Sequence, residues 1–178
     1  MTLDFYHKLC SITNETIFQF MQGRDNCVLA SAALDETLTF LKIPHRAARL
    51  CLAARHENPK TIGVALGSEE PGPRRKMEPG RWAGHLGIIA EERFLVDPTA
   101  DQVNEGRPGL QASPAAYEVP DTFLGGKCLF FPAGNGWRIR YHLVWRQKGW
   151  LPAPDWYRKA DRRLFSEIIL RKLNGSSH

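Results

Sequence analysis

Cys27, His85 and Asp97 are the residues of this chain whose types and order could do chemistry together. Cys27 stands in "GRDNCVLASAALDETLTFLKIP", at the front of a predicted helix and behind Gly23, Asp25 and Asn26. The unpaired N–H groups and the positive dipole end of a helix N-terminus favour a thiolate and can hold an oxyanion. Acyl transfer by a thiol needs both: an activated nucleophile, and stabilisation of the charge that develops on the carbonyl oxygen. The Cys27 backbone N–H would be one oxyanion donor, and Gln22 or Asn26 could supply the other.

The thiol needs a base. Of the six histidines, His7 and His178 lie near the ends, His45 and His56 read as loop residues, and His142 falls on an arginine-rich strand face. His85 begins a strand after Gly84 and is the best placed. Asp97, at the end of the next strand, could orient its ring. Each of the three also has a purely structural reading. A cysteine on an apolar helix face is usually core filler. His85 could be a satisfied structural histidine, and Asp97 before Pro98 and Thr99 could simply open a turn. The three together, in this order and placement, favour the chemical reading. Cys10, Cys51 and Cys128 read as core fillers.

The elements that must position these groups follow from periodicity. Successive helical residues turn by about 100°, so Leu34, Leu38 and Leu41 share a face with Cys27 to within about 40°. Asp35, Glu36, Thr37 and Thr39 point elsewhere. This helix spans 27–42, ends before Pro44 and takes Asp25 or Asn26 as its N-cap. Cys27 then sits at the tip of the buried face, aimed at the edge of the core. Upstream, Phe5, Leu9, Ile12, Phe20 and Met21 recur at helical spacing over 3–22, as one helix or as two broken near Ser11–Asn14.

"HRAARLCLAARH" predicts a strand at about 48–54, and "TIGVALG" a short one within 61–67. "SEEPGPRRKMEPG" (68–80) is a surface loop, expected to border the cleft and to move more than the sheet. Residues 84–99 read as a hairpin with arms His85–Ala90 and Arg93–Asp97. An odd loop (three residues at Ala90–Glu92, or five) places His85 directly opposite Asp97 on one face, whereas an even loop separates them. Glu91–Glu92 makes a poor two-residue turn, since neither residue favours positive φ. Residues 100–127 read as an irregular crossing.

"KCLFFP" (127–132) and "WRIRYHLVWRQ" (137–147) are strands around an "AGNG" turn. On the second, Trp137, Ile139, Tyr141, Leu143 and Trp145 share one face, and Arg138, Arg140, His142 and Arg146 the other. A last helix starts at about Asp155, with Trp156, Phe165, Ile168, Ile169 and Leu173 on its apolar side. Helices followed by antiparallel strands, with no βαβ alternation, argue an α+β fold: N-terminal helices packed on an antiparallel sheet, then a C-terminal helix. The 178 residues suit one domain, 1–178.

The order Cys, His, Asp resembles the transglutaminase-like branch of the papain-like cysteine enzymes, over about residues 20–102. "KIPHRAARL" is similar to that family's loop-to-strand after the cysteine helix, and "FLVDPTADQ" to its acidic strand end. "GHLGIIAEERFLV" also resembles the cell-wall peptidase branch of the same superfamily. The resemblance implies a papain-like core with Cys27 as nucleophile, His85 as general base and then acid, and Asp97 as orienting group. The chain departs from both branches. Gly87 stands where the transglutaminase pattern has an aromatic, and Val28–Leu29 follow Cys27 where the peptidases have Ser-Gly.

Composition narrows the alternatives. The four cysteines are not closely spaced, so a structural zinc site is not expected and the thiols should be free. No apolar run approaches the ~20 residues that span a bilayer. The N-terminus does not read as a secretory signal, which makes a cytoplasmic, non-membrane location the expectation. No metal or organic cofactor is required. The substrate would be a protein, peptide or small acyl compound, an amide, ester or thioester, with water or an amine as acceptor. A net charge of +5 collects toward the C-terminus in Arg138, Arg140, Arg146, Lys148, Arg158, Lys159, Arg162, Arg163, Arg171 and Lys172. That basic face would suit an acidic protein or nucleic acid if the chain were a binding module rather than an enzyme. A solvated, charge-guarded edge strand accounts for it more simply, since no recognised nucleic-acid motif accompanies the charge.

Overall fold

The computed structural model of the chain describes residues 1–20, 27–67, 85–144 and 159–175. Helix α1 runs unbroken over Leu3–Phe20. The polar stretch Ser11–Asn14 does not interrupt it, because its hydrogen-bonding groups find partners that leave the helix intact. The Thr13 hydroxyl donates to Leu9 O one turn back at 2.8 Å, and Asn14 Nδ2 donates outward to Pro98 O at 2.7 Å. The buried stripe is Tyr6, Leu9, Cys10, Ile12, Thr13, Thr16 and Ile17. Phe20, expected on it, is exposed, and Met21 lies outside the described residues.

Helix α2 spans Cys27–Phe40. Lys42 takes a left-handed φ of 57° just past its end, and the Ile43 N–H reaches back to Leu38 O at 3.0 Å to close it. Leu34 and Leu38 are fully buried below Cys27, as the spacing predicts. The burial extends further round than a one-faced helix, taking in Leu29, Ala30, Ser31, Ala32, Ala33 and Thr37. Thr37, expected to point away, donates to Ala33 O at 2.7 Å and lies 3.2 Å from Ser166 Oγ. Ser166 belongs to α4 (Lys159–Gly175), which covers the side of α2 that a two-layer reading leaves to solvent. Phe165 and Ile169 of α4 are buried, and Ile168 and Leu173 partly so. Trp156 lies outside the described residues.

Among the described residues, seven strands form one antiparallel sheet: β1 (His45–His56), β2 (Val64–Leu66), β3 (His85–Ala90), β4 (Phe94–Asp97), β5 (Ala115–Glu118), β6 (Leu129–Pro132) and β7 (Trp137–Leu143), in the order β5-β4-β3-β1-β7-β6, with β2 on β1. β1 is the central strand and longer than predicted. His45 and His56, read as loop residues, are its first and last. Its interior lacks a polar alternation because it is buried on both sides, from Ala48 to Ala54. The crossing at 100–127 is more structured than expected, with a 3-10 helix (Ala100–Asn104), β5 and a short α3 (Asp121–Leu124).

Two hydrophobic clusters lie on opposite faces of the sheet. One packs Ile88, Ala90, Phe94, Val96 and Ala116 against α1, α2 and α4. The other gathers Leu50, Leu52, Ile89, Leu95, Val103, Phe123, Ile139 and Tyr141. β5 and β6 are at opposite ends of the strand order, yet Tyr117 and Phe131 stack with ring centroids 3.8 Å apart. The sheet is therefore curled until its outer strands meet, and the second cluster fills the inside of the curl. No helix among the described residues is long and apolar enough to cross a membrane.

Stacking across the closure makes these two rings energetically dependent on each other. A double-mutant cycle on Tyr117→Ala and Phe131→Ala, read by denaturant unfolding, should give a coupling of about 0.5–1.5 kcal/mol. Additive losses would mean that the edges do not meet in solution.

Candidate active site

The hairpin β3–β4 carries two of the three residues. Ile88 pairs with Val96, Ile89 with Leu95 and Ala90 with Phe94, so the loop is Glu91–Arg93. Its length is odd, as expected, but it starts one residue later, and the steric argument against positive φ fails: Glu91 and Glu92 have φ of 52° and 46°. Tertiary bonds hold them there. The Glu91 N–H donates to Pro44 O at 2.7 Å, its carboxylate accepts from the Tyr6 hydroxyl at 2.8 Å, and Glu92 accepts from Arg46 Nε at 2.8 Å.

The one-residue offset means that His85 is not directly opposite Asp97. Continuing the register puts Gly87 across from Asp97, with His85 on the same face one pair further on, a diagonal that long side chains can bridge. The position opposite the carboxylate has to be bare. A Cβ on Gly87 would lie 2.8 Å from Leu50 Cδ1 and 3.1 Å from Val96 O. Gly67, at φ +80°, closes on the same place from β2. Its Cβ would meet Leu50 O at 2.5 Å and the His85 N at 3.3 Å.

His85 Nε2 and Asp97 Oδ2 are 2.7 Å apart, and both side chains are 0% exposed. The Tyr141 hydroxyl donates to the same Oδ2 at 2.9 Å. The other oxygen, Oδ1, accepts the Thr99 N–H at 3.0 Å and the Thr99 hydroxyl at 3.4 Å. Asp97 thus opens a turn, as its structural reading supposed, with one oxygen, and orients His85 with the other. The sequence reading missed Tyr141 and Thr99. An inward-facing tyrosine in an apolar strand face was the available signal, since a buried phenol needs a hydrogen-bond partner.

Cys27 arrives from the helical layer as the first residue of α2, buried at 4% exposure. Its thiol is a hydrogen-bonding and electrostatic neighbour of the His85 ring. With Nε2 occupied by Asp97, the side left to the thiol is Nδ1, which is buried and has no aligned hydrogen bond. Ser31, one helical turn along, donates from Oγ to Leu86 O at 3.2 Å. It ties α2 to the strand residue next to His85.

Charge in this cluster is governed by burial and by the Asp97 carboxylate. Burial alone would pull His85 down, but the charge and hydrogen bond of Asp97, with Cys27, outweigh it and push the ring up to about 10. Burial and then Asp97 raise Tyr117 to about 12 and Tyr141 well above its usual value. The same two causes raise Cys10, whose thiol donates to Ala115 O at 3.2 Å. Asp101, raised first by burial, takes the Asn14 amide at 3.3 Å.

Gln22 and Asn26, the expected oxyanion donors, lie outside the described residues, as do the proposed N-cap and the 68–80 loop. None of the four cysteines is in a disulfide; Cys128, read as core filler, is only partly buried. Of the basic residues, Arg138 is paired with Glu57 at 3.0 Å and Arg163 with Glu167 at 3.3 Å; Arg146, Lys148 and Arg158 lie outside the described residues. A groove lined by Glu36, Phe40, Arg163, Glu167 and Leu170 runs between α2 and α4, well away from Cys27. No group of three or more potential metal ligands clusters among the described residues. No family model, curated protein or solved structure matches the chain.

A ring held at about 10 in the folded chain, against 6.5 ordinarily, binds its proton more tightly when folded. That stabilisation is complete below about pH 6.5 and is lost as pH rises through about 10. Melting temperature should therefore fall across this range, and Asp97→Asn should remove most of the fall; parallel curves for the two proteins would contradict the coupling. Gly87→Ala should destabilise by roughly 1–3 kcal/mol in denaturant unfolding, through forced displacement of Leu50.

Proposed function

We propose that the chain is a cysteine-dependent hydrolase or acyltransferase acting on an amide, ester or thioester. The observation that carries the reading is the buried His85–Asp97 pair at 2.7 Å with the Cys27 thiol beside the same ring. A residue at a helix start and two from a single hairpin much later in the chain converge there. A cysteine at the head of a helix packed on an antiparallel sheet, with His and Asp on neighbouring strands, also supports a papain-like, transglutaminase-like core.

In this reading His85, held at about 10, already carries the proton at neutral pH when the Cys27 Sγ attacks the carbonyl carbon. The oxyanion forms against the N–H groups at the start of α2. The carbonyl–leaving-group bond breaks, and the leaving group takes the proton from His85. The thioester is then attacked by water or an amine, which gives its proton to His85. The C–S bond breaks, and the thiol is restored. Asp97 holds the ring and stabilises its charged form throughout.

Cys27→Ser should fold normally and lose at least about 100-fold of the activity found on a panel of amide and thioester donors. Asp97→Asn should lose less, because an amide can still orient the ring. In the wild type, iodoacetamide should label Cys27 at pH 6, where ordinary thiols are unreactive. Full turnover by a folded Cys27→Ser protein would end the thiol-enzyme reading.

A further inference from the structure

We propose that Tyr141 is a positioning residue of this site: its hydroxyl holds the Asp97 oxygen that carries His85 and moderates how tightly that oxygen binds the ring. The inference rests on the thiol-enzyme reading and adds a residue to it.

Tyr141 and His85 share one oxygen, Oδ2, at 2.9 and 2.7 Å. The tyrosine comes from β7, two strands away from β3 in the sheet order. It reaches Asp97 only because the sheet curls. Its ring is fully buried and packs on Tyr117 and Phe131, so the hydroxyl has little freedom to point elsewhere. A donor on a carboxylate oxygen stabilises the anion and makes it a weaker acceptor for a second donor. With Tyr141 in place, the imidazolium is held less firmly and can release its proton to a leaving group. Without the hydroxyl, Asp97 would grip the charged ring harder, and His85 would become a better base but a poorer acid.

The groups facing Asp97 are known from each element around it. Among the described residues they are His85 of β3, Thr99 of its own turn, Tyr141 of β7, Tyr117 of β5, Cys10 of α1 and Asp101 of the 3-10 helix, with Cys27 of α2 beside the His85 ring. Burial and Asp97 push Cys10, Tyr117 and Tyr141 upward.

The test uses full-length protein labelled with 15N-histidine, as wild type, as Tyr141→Phe and with 3-fluorotyrosine at 141, a more acidic phenol and stronger donor. The midpoint of the His85 ring, followed by NMR against pH, should rise by roughly half to one pH unit in Tyr141→Phe. It should fall with fluorotyrosine, which carries the test if the Phe variant does not fold. A midpoint unmoved in the folded variants overturns the role of Tyr141. Iodoacetamide labelling of Cys27 at pH 6, followed by peptide mass spectrometry, is run on the same samples and is expected in all three. A moved His85 midpoint with an unreactive wild-type Cys27 overturns the enzyme reading instead, leaving Tyr141 tuning a histidine that serves no nucleophile.

Discussion

A carboxylate with no solvent exposure sits at the centre of this molecule, and the surrounding architecture is what allows it to be there. Moving such a group out of water costs several kcal/mol unless its lone pairs are met. Asp97 meets them with the Thr99 N–H and hydroxyl on one oxygen and with His85 and Tyr141 on the other. These donors come from the turn after β4, from β3 and from β7. The last two can reach one oxygen only if the sheet bends through β1, the strand between them. Sheet curvature and site chemistry are thus one constraint, since a flatter sheet would withdraw Tyr141 and leave a buried oxygen short of a partner.

Curling this tightly requires side chains to be missing at chosen places. Gly87 and Gly67 provide the space around Leu50 and the His85 backbone, each at a point where a Cβ would meet another atom below 3 Å. Gly87 therefore has a structural reason to be glycine: Leu50 already occupies the room a side chain there would need. Small residues serve the helical layer in the same way. Ala30, Ala32 and Ala33 have no solvent exposure, which lets α2 lie close between the sheet, α1 and α4. A helix seated so tightly leaves its first residue little freedom to wander from His85.

What could be read from the sequence depended on whether the determining contact was local. The start of α2, the buried column under Cys27, the His85–Asp97 hairpin and the inward face of β7 all have signals within a few residues of themselves. The register of that hairpin did not. Its loop is shifted by one because Pro44, Tyr6 and Arg46, remote in sequence, hold two glutamates at positive φ. β1 was underestimated at its ends, 45–47 and 55–56, where the strand runs past its buried apolar stretch and the residues are only partly buried or exposed. Thr37 was misplaced because α4, about 130 residues later in the chain, covers it. Tyr141 could be placed on the correct face from the alternation of β7. Its bond to Asp97 could not be foreseen, because it crosses the interior of a curl that only the meeting of β5 and β6 creates.

The "DPT" segment shows why a structural and a chemical reading of one residue need not compete. A carboxylate has two oxygens. Here Oδ1 fixes the turn through Thr99, and in doing so fixes the direction in which Oδ2 points. The turn is what makes the orienting group rigid. A related coupling sets the third member of the site. The placement of His85 is decided by strand register and that of Cys27 by how α2 docks, two features that packing alone could let drift apart. Ser31 joins them, its hydroxyl bonded to the carbonyl of Leu86, directly after His85 and one helical turn from Cys27. The thiol and its neighbouring ring are thereby referenced to the same stretch of β3, so that helix docking and strand register are read against one another within a single turn of α2.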